Sequence, residues 1–432
     1  MLGSKDVGAS LVDAQSSVAA RNGGDHKGRP YIPDGFKMTA LGPLPEEWQV
    51  VRLGEVADFS GRIGKHYVTD TSLIPFIPMS LLPADALYIT KWEMRQPADV
   101  RSGLFIQEGN LLLAKITPCL ENGKQGIVSG LPGGWGYATT EVIPIRPSSG
   151  LDSEYLALYL KMPNVRQSLA SKMEGTTGRQ RLPKTVVQAL PIPLPPLPEQ
   201  RAIAYVLSTI QRAVEAQDKI IAAARELKKS LMRHLFTYGP VPPAQADQVA
   251  LKETEIGPVL EHWEVKPLGE IATLQRGKDL PIQNRVAGVY PIIGSNGIIG
   301  YHNEYFLEGE GVVTGRSGTI GKVTYIEGRY WAHNTALYVK NFHSNYPKFV
   351  YYLLQQLDFS KYIAGVSVPT LNRNLVHPVP TALPPFAEQR EIARILQAVD
   401  RKIEAEERRK AALQTLFKTT LHHLMTGRIR CA

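Results

Sequence analysis

Cysteine is almost absent from this sequence, which contains only Cys119 and Cys431 among its 432 residues. Residues so far apart exclude a disulfide framework and a cysteine-based zinc site, and they favour a reducing compartment. Long apolar runs are also lacking, since no stretch of about eighteen apolar residues occurs, and we predict no membrane span. The polar segment 1–35 has no apolar core of a secretory signal, and we expect a disordered tail there. These absences predict a cytoplasmic protein.

What is present is an ordinary soluble composition on a long chain. Apolar residues make up 43% and charged residues 21%, which is typical of globular proteins. A chain of this length is predicted to form two or more domains. The formal net charge is +9 and the isoelectric point is near 9.3. This excess favours a polyanionic partner, yet a plain basic protein fits the same numbers equally well.

The chain contains one stretch twice. Residues 194–207 have the sequence LPPLPEQRAIAYVL and residues 383–396 have LPPFAEQREIARIL, with nine of fourteen positions identical. A second match, at a constant offset of 215, joins residues 36–57 to residues 251–272 and includes Trp48 and Trp263. Such self-similarity indicates a duplicated unit. Each tryptophan begins a segment that we interpret as an opening strand leading into a Leu-Gly-Glu turn, and we expect both rings to be core anchors.

Between the opening and the LPP motif, each half contains short apolar segments broken by glycine and proline. We predict strands at 111–116, 125–128 and 141–145 in the first half, and at 289–293, 311–314, 322–326 and 336–339 in the second. Apolar residues at helical spacing predict one helix in each half, near 153–162 and 346–357. This pattern predicts a mixed α+β domain in each half.

Each LPP motif begins a long segment with an apolar stripe at spacings of mostly three and four. The stripe residues are Ile203, Leu207, Ile210, Val214, Ile221, Ala224, Leu227, Leu231 and Leu235 in the first segment, and Ile392, Leu396, Val399, Ile403, Leu413, Phe417 and Leu424 in the second. The proline pair blocks a helix before each segment, and Gly239 and Gly427 supply natural ends. Sustained stripes of this length are typical of a coiled coil, and we expect the two helices to pack antiparallel. Gln217, Glu406 and Lys410 interrupt the stripes.

Recognisable catalytic motifs are absent. The LPPL stretch is superficially similar to the Pro-Pro loop of amino-group DNA methyltransferases, but Leu194 and Leu383 cannot accept a hydrogen bond from a target amine. The glycine-rich segment 315–323 lacks the first glycine and the Ser or Thr of a phosphate-binding loop. His422 and His423 are adjacent on a predicted helix and point apart, which makes a poor metal site. We therefore predict no catalytic centre, cofactor or metal in this chain.

Three features together carry a family resemblance. They are the LPP-x-x-EQR-x-IA-x-x-L repeat ahead of each long helix, the Trp-x-x-x-x-Leu-Gly-Glu opening of each half, and the terminal LMTGRIR. In this order, over residues 36–430, they resemble the specificity subunit of a type I restriction–modification enzyme. The resemblance implies an α+β fold with two target-recognition domains, separated by two long helices in an antiparallel coiled coil, with an internal pseudo-two-fold repeat.

The resemblance also implies domain limits. The target-recognition domains would be residues 36–193 and 251–382. Helical spacer regions would be residues 194–239 and 383–430, with a linker at 240–250 and the tail at 1–35.

The same resemblance implies a function and partners. The chain would bind double-stranded DNA at an asymmetric bipartite target, with no catalysis of its own, and would hold two methyltransferase (modification) subunits that restriction subunits could join. S-adenosylmethionine would belong to the methyltransferase subunits, and ATP and magnesium to the restriction subunits, where adenine-N6 methylation or cleavage would occur. Two other hypotheses stay open: a coiled-coil protein-interaction scaffold without DNA recognition, and an enzyme with an unrecognised site.

Candidate DNA-binding residues follow from the chemistry of DNA contacts. Phosphates attract mainly Lys and Arg, whereas base edges accept Arg, Lys, Asn, Gln and Ser. The loops 175–181 and 365–373 precede their LPP motifs at equivalent distances, and we add the glycine-rich turns at 122–126 and 315–322. The first-half candidates are Arg62, Lys65, His66, Lys115, Lys124, Gln125, Arg179, Gln180, Arg181 and Lys184. The second-half candidates are Arg276, Lys278, Arg285, Ser295, Asn296, Arg316, Ser317, Lys322, His333, Asn334 and Arg373. Each is equally consistent with an ordinary surface residue.

Overall fold

A computed structural model describes residues 32–60, 73–100, 102–176, 178–364 and 369–431. The chain forms two compact units, one of residues Met1–Ala216 with Ala411–Ala432 and the other of Gln217–Lys410. We call them unit 1 and unit 2. Each unit therefore contains one β-rich region and a part of each long helix. The domain limits given above follow the change from β-rich to helical sequence instead, and they stay a prediction. Most of the predicted tail lies outside the described residues. The candidate residues Arg62, Lys65 and His66 also lie outside them.

Unit 1 is built from short strands and short helices. The strands are β1 (Phe36–Thr39), β2 (Gly42–Pro45), β3 (Gln49–Arg52), β4 (Ala57–Asp58), β5 (Ile74–Ile77), β6 (Tyr88–Ile89), β7 (Glu93–Arg95), β8 (Leu104–Gln107), β9 (Leu111–Ala114), β10 (Gln125–Val128), β11 (Trp135–Ala138), β12 (Val142–Pro147), β13 (Glu174–Thr176), β14 (Arg179–Arg181) and β15 (Pro191–Leu194). The helices are α1 (Leu53–Val56), α2 (Pro97–Val100), α3 (Ser153–Leu160), α4 (Pro163–Ala170) and α5 (Lys184–Gln188), followed by the long helix α6 (Leu197–Tyr238). One sheet has the order β4-β12-β9-β10-β6 and another has the order β7-β5-β11-β8.

Unit 2 repeats this plan. Its strands are β16 (Leu251–Thr254), β17 (Gly257–Leu260), β18 (Glu264–Pro267), β19 (Thr273–Arg276), β20 (Tyr290–Gly294), β21 (Gly297–His302), β22 (Leu307–Glu308), β23 (Gly311–Gly315), β24 (Val323–Ile326), β25 (Arg329–Ala332), β26 (Ala336–Asn341), β27 (Ile363–Ala364), β28 (Thr370–Leu371) and β29 (Pro380–Leu383). Its helices are α7 (Leu268–Ile271), α8 (Pro347–Gln356), α9 (Arg373–Val376) and the long helix α10 (Phe386–Met425). Its two larger sheets have the orders β19-β26-β23-β24 and β21-β20-β25-β22. Short 3-10 helices lie at Met79–Leu81, Pro132–Gly134, Pro243–Gln248, Ile282–Asn284 and Phe359–Tyr362.

The strands and short helices predicted from the sequence are confirmed, with ends that move by no more than two residues. The central strand β9 is buried along its whole length, because it lies between two neighbours in the sheet and both its faces are covered. The opening strands are confirmed as well: β3 pairs antiparallel with β15, and β18 with β29. The predicted Leu-Gly-Glu turns are wrong, since these residues begin the four-residue helices α1 and α7. In each unit, the strand that follows the buried tryptophan thus pairs with the strand that ends at the leucine of the LPP motif.

The glutamate of each repeated EQR sequence fastens the opening strand to the long helix. Trp48 is fully buried and Trp263 is 1% exposed, as predicted for core anchors. The indole N–H of Trp48 donates to the Glu199 carboxylate at 3.0 Å, and that of Trp263 donates to Glu388 at 2.9 Å. Each carboxylate lies in the first turn of its long helix. In each unit, the motif Trp-x-x-x-x-Leu-Gly-Glu therefore contacts the motif LPP-x-x-EQR through its tryptophan.

The glutamine of the same motif fixes the short helix that packs beside it. The side-chain amide of Gln200 donates to the carbonyl of the first motif proline at 2.8 Å, and that of Gln389 does the same at 2.9 Å. Their carbonyl oxygens accept the backbone N–H groups of Asp152 and Tyr346, each at 2.9 Å, directly before α3 and α8. Both glutamines are buried. Each β-rich region is thus held to its long helix by the same two side chains.

The long helices pack antiparallel within each unit. In unit 1, Leu207 near the start of α6 shares a core with Leu424 near the end of α10. In unit 2, Leu235 near the end of α6 shares a core with Leu396 near the start of α10. The predicted ends are confirmed by the left-handed backbone of Gly239 and Gly427 (φ 71° and 65°). One predicted stripe residue does not belong to the seam, because Leu227 is 53% exposed.

Polar pairs link the two helices inside unit 2. The buried amide of Gln217 donates to the Glu406 carboxylate, Lys410 lies 2.5 Å from Asp218, and Arg225 lies 2.6 Å from Glu407. The residues that interrupt the stripes therefore face partners on the other helix. Buried polar positions of this kind specify the register of a coiled coil at some loss of stability.

We expect Gln217→Leu to lower the midpoint of thermal unfolding by about 2–4 °C, because the Glu406 carboxylate loses its buried donor. The double variant Gln217→Leu with Glu406→Leu removes both polar groups and is expected to regain the original midpoint or exceed it. Circular dichroism at 222 nm measures both. If the single and the double variant lowered the unfolding midpoint by the same amount, Gln217 and Glu406 would not contribute to stability as a pair.

A half-buried lysine in unit 1 predicts a pH dependence. Lys161 donates to the carbonyls of Ala86 at 2.9 Å and Ala84 at 3.3 Å, and burial lowers its pKa to about 8. Burial disfavours the ammonium form of Lys161, which lowers the free energy of unfolding. This destabilisation is fully present below pH 8 and is relieved as the pH rises toward the pKa of Lys161 in the unfolded chain. The free energy of unfolding of the wild type, relative to Lys161→Met, should rise by roughly 2 kcal/mol between pH 8 and pH 10. Urea titrations at several pH values measure this difference, and parallel pH profiles would refute it.

Candidate nucleic-acid interface

The two units place a basic residue at the same point of the same backbone framework. In unit 1, the N–H of Lys115 donates to the carbonyl of Glu141 at 3.0 Å, and the Lys115 carbonyl accepts the N–H of Leu182 at 2.7 Å. In unit 2, the N–H of Arg316 donates to Thr335 at 2.9 Å and its carbonyl accepts Leu371 at 2.8 Å. Lys115 and Arg316 are therefore equivalent, and each follows the central strand of its sheet, β9 or β23.

In unit 1 this framework surrounds a cleft of about 880 Å3. Lys115, Arg181 and Lys184 supply its positive charge, and Glu174 supplies a carboxylate. Arg181 is held by an ion pair with Glu141 at 2.8 Å. The structure therefore brings the 175–181 loop against the end of β9, as an interface made from separate loops requires.

In unit 2 the equivalent cleft has a volume of about 510 Å3 and is more strongly basic. Arg276, Arg316 and Arg373 line it, together with the amides Gln275, Asn372 and Asn374. Burial, and then the nearby Arg276 guanidinium, lower the pKa of Arg316. No carboxylate is among the described lining residues. Such a cleft favours a polyanion.

The sequence did not single out the three amides of this cleft. Gln275 lies in β19 directly before the candidate Arg276, and Asn372 and Asn374 flank the candidate Arg373. The Asn372 side chain accepts the backbone N–H of Asn374 at 3.0 Å and so caps helix α9. In the sequence, the only signal for these amides was that each is adjacent to a candidate arginine. The significance of this adjacency becomes clear only once the loop is folded against β23.

Strands β13 (Glu174–Thr176) and β14 (Arg179–Arg181) form a two-stranded antiparallel ribbon. Arg179 is exposed near its outer end and Gln180 is half-buried. The corresponding loop of unit 2 forms the short pair β27–β28, and the described residue Thr370 bridges to Ser317. Residues 365–368 of the predicted loop lie outside the described residues.

Three predicted contact residues form hydrogen bonds within the protein. Gln125 is only 2% exposed and its amide donates to the Ala157 carbonyl at 2.6 Å, so the prediction for Gln125 is wrong. Lys124 donates to the carbonyl of Met79 at 2.9 Å. Lys322 donates to the backbone carbonyl and side chain of Asn296 at 2.9 and 3.0 Å. Burial and internal bonding are not visible in the sequence.

The remaining candidates of unit 2 are not among the residues that line the arginine cleft, although Arg316 of the cleft donates to the carbonyl of Asn334 at 3.4 Å. The Lys278 ammonium lies 4.4 Å from the centre of the Phe306 ring, and Asn334 donates to Asp279 at 2.6 Å. Ser295 lies beside the glycine-rich turn at Gly315 and Gly318. His333 bonds to Thr335 and burial lowers its pKa; Arg285 donates to the Leu280 carbonyl at 3.2 Å.

Two further features of the described residues bear on chemistry. Among them, no cluster of three or more His, Cys, Asp and Glu side chains is arranged to hold a metal ion. Within the same part of the chain, every helix is too short or too polar to cross a membrane.

Comparison with known proteins gives the arrangement a context. The sequence model of a family described as "Type I restriction modification DNA specificity domain" matches residues 45–225 and 260–415. The EcoAI specificity subunit of Escherichia coli, a type I restriction enzyme subunit, is 34% identical over 194 residues, which cover 44% of this chain but only 32% of that subunit. The MjaVIII specificity subunit of Methanocaldococcus jannaschii is 23% identical over 438 residues, covering 93% of this chain and 97% of that subunit.

Solved structures show the same fold. The crystal structure of the type I restriction-modification S subunit from M. genitalium aligns with a TM-score of 0.57 at 17% identity, covering 91% of this chain and 98% of the other. A chain from a study of complex assembly and conformational transition of the type I R-M system aligns with a TM-score of 0.56 at 20% identity, covering 89% and 99%.

Proposed function

We propose that this chain, which belongs to the family of type I restriction–modification DNA specificity domains, recognises double-stranded DNA at two different half-sites. The family assignment made from the repeated motifs is thereby confirmed. Specificity subunits are the non-catalytic members of these systems. In this proposal unit 1 contacts one half of an asymmetric bipartite target and unit 2 contacts the other.

The observation that supports this proposal is a repeated framework with unlike side chains. Lys115 and Arg316 occupy equivalent positions. Lys184 and Arg373 are also equivalent, because each lies two residues after the leucine whose N–H bonds to Lys115 or Arg316. Around them unit 1 adds Arg181 with a carboxylate nearby, whereas unit 2 adds Arg276 with amides. Shared backbone geometry suits the same kind of ligand in both units, and unlike side chains suit different sequences in it.

The partners and cofactors of the proposed complex belong to other chains. Two methyltransferase subunits would bind the helical regions, with S-adenosylmethionine in them, and restriction subunits with ATP and magnesium could join. The reaction in this proposal is adenine-N6 methylation or DNA cleavage, performed in those subunits in the cytoplasm. This chain would determine only where it happens.

The test is co-expression of the full chain with its methyltransferase partner, followed by mapping of N6-methyladenine on the host DNA. We expect one split motif. Replacing residues 251–382 with the same region of a relative should change one half of the motif and leave the other half intact. Replacing residues 36–193 is the matched control, and it should change the opposite half.

Two outcomes would contradict the proposal. A complex that assembles and binds S-adenosylmethionine, yet methylates no defined motif, would favour a scaffold without DNA recognition. Methylation or cleavage by the purified chain alone, with no partner present, would favour an enzyme with an unrecognised site.

A further inference from the structure

The ribbon formed by Glu174–Thr176 and Arg179–Arg181 has an unusual composition for a folded element. Its described residues are exposed, apart from the half-buried Gln180, and they include no large apolar side chain. A two-stranded hairpin is at best marginally stable alone, and this one contributes nothing to a hydrophobic core. Its sequence is therefore better suited to contact with an external ligand than to support of the fold.

The inner end of the ribbon is fixed to the protein. The Gln180 carbonyl accepts the N–H of Thr117 at 3.1 Å, and the ion pair between Arg181 and Glu141 holds the next residue. Lys115 and Lys184 line the cleft beside this end. The cations at the base of the ribbon thus have a defined position, which suits contact with DNA phosphates.

The outer end of the ribbon carries the exposed guanidinium of Arg179. Thr176 and Arg179 are cross-strand partners, so their side chains lie on the same face of the ribbon. The Arg179 side chain forms no hydrogen bond or ion pair with any residue that the structure describes. On the opposite face, Gly175 has φ 127°, and a Cβ there would meet the Arg179 carbonyl at 2.7 Å, so only glycine fits and the ribbon stays thin.

We infer that this ribbon enters the major groove of the half-site recognised by unit 1 and that Arg179 contacts a guanine there. The inference rests on the proposed function and adds to it the element and the base. The major groove admits a two-stranded ribbon, and an arginine bonds to the O6 and N7 of guanine in a bidentate manner. Arg181 at the ribbon base contacts a DNA phosphate, and Arg179 determines specificity.

The experiment uses the complex of the full chain with its methyltransferase partner and short duplexes that carry its mapped target. Each guanine of the half-site assigned to unit 1 is replaced in turn by 7-deazaguanine, which lacks the N7 acceptor. The wild type should lose about tenfold or more in affinity at one of these positions. Arg179→Ala should bind the normal and the substituted duplex equally, with an unchanged unfolding midpoint because Arg179 makes no internal bond.

Arg181→Ala is the matched control on the same strand. It should weaken binding to every duplex while keeping the preference for guanine over 7-deazaguanine. The inference is overturned if Arg179→Ala keeps that preference, or if the wild type shows none in this half-site. In those cases a split methylation motif would still stand, and only the absence of a defined motif would remove the proposed function together with this inference.

Discussion

Replacing Glu199 with alanine is expected to lower the free energy of unfolding of unit 1 by about 3 kcal/mol. The Glu199 carboxylate is 7% exposed and accepts the indole N–H of the fully buried Trp48. It also accepts Arg430 near the end of the chain, with Nε at 2.6 Å and Nη2 at 3.0 Å. The variant leaves the indole with no partner in a closed core and removes the main partner of the guanidinium. Because the Arg430 side chain is 41% exposed, water offsets part of this second loss.

The repeated motif supplies a matched control for this variant. Glu388→Ala removes the acceptor of Trp263 in unit 2, but its second contact is His262, whose side chain is 53% exposed. We expect about half the loss, on the order of 1–2 kcal/mol. Urea unfolding followed by tryptophan fluorescence measures both variants, and Glu199→Gln, which retains an acceptor for the indole, should lie between Glu199→Ala and the wild type. Equal losses in Glu199→Ala and Glu388→Ala would show that Arg430 adds nothing.

The duplication and the element types were predictable because they are properties of local sequence. Alternating or continuous apolar segments gave the strands, and stripes at helical spacing gave α6 and α10. The contact between Trp48 and Glu199 was not predictable, because the two residues are 151 positions apart. Both belong to repeated motifs, however, and two motifs duplicated together are good candidates for direct contact. The turn assigned to Leu-Gly-Glu failed because a four-residue helix has too few positions to show a period.

The candidate site was predictable in composition but not in arrangement. Residue type and loop position identified Lys115, Arg181, Arg316 and Arg373, which the fold brings into two equivalent clefts. The same criteria also selected Gln125, whose amide bonds inside the core. A polar residue next to an apolar strand has the same local sequence whether its side chain faces inward or outward. Only the packing of α3 against β10 decides between these cases.

The largest effect on DNA binding is expected from the arginine cleft of unit 2. Changing Arg276, Arg316 and Arg373 together to glutamine should weaken binding of the target DNA by the full complex by about 100-fold or more at physiological salt. It should also reduce the slope of log affinity against log salt by about 2 to 3, since each phosphate contact contributes about 0.9. The three side chains line one cleft whose described residues include no carboxylate. Their positive charge is therefore not neutralised within the site.

A second triple variant separates a contact from a general loss of charge. Lys266, Arg329 and Lys348 also lie in unit 2, but each pairs with a glutamate, at 2.5, 2.9 and 3.1 Å. Changing these three to glutamine removes the same total charge and should alter affinity by less than about threefold, because long-range effects are screened within about 8–10 Å. Fluorescence anisotropy with a labelled duplex measures both at several salt concentrations. Equal losses would assign the effect to net charge, whereas full affinity of the cleft variant would favour a scaffold without DNA recognition, since the arginines would then have no anionic ligand.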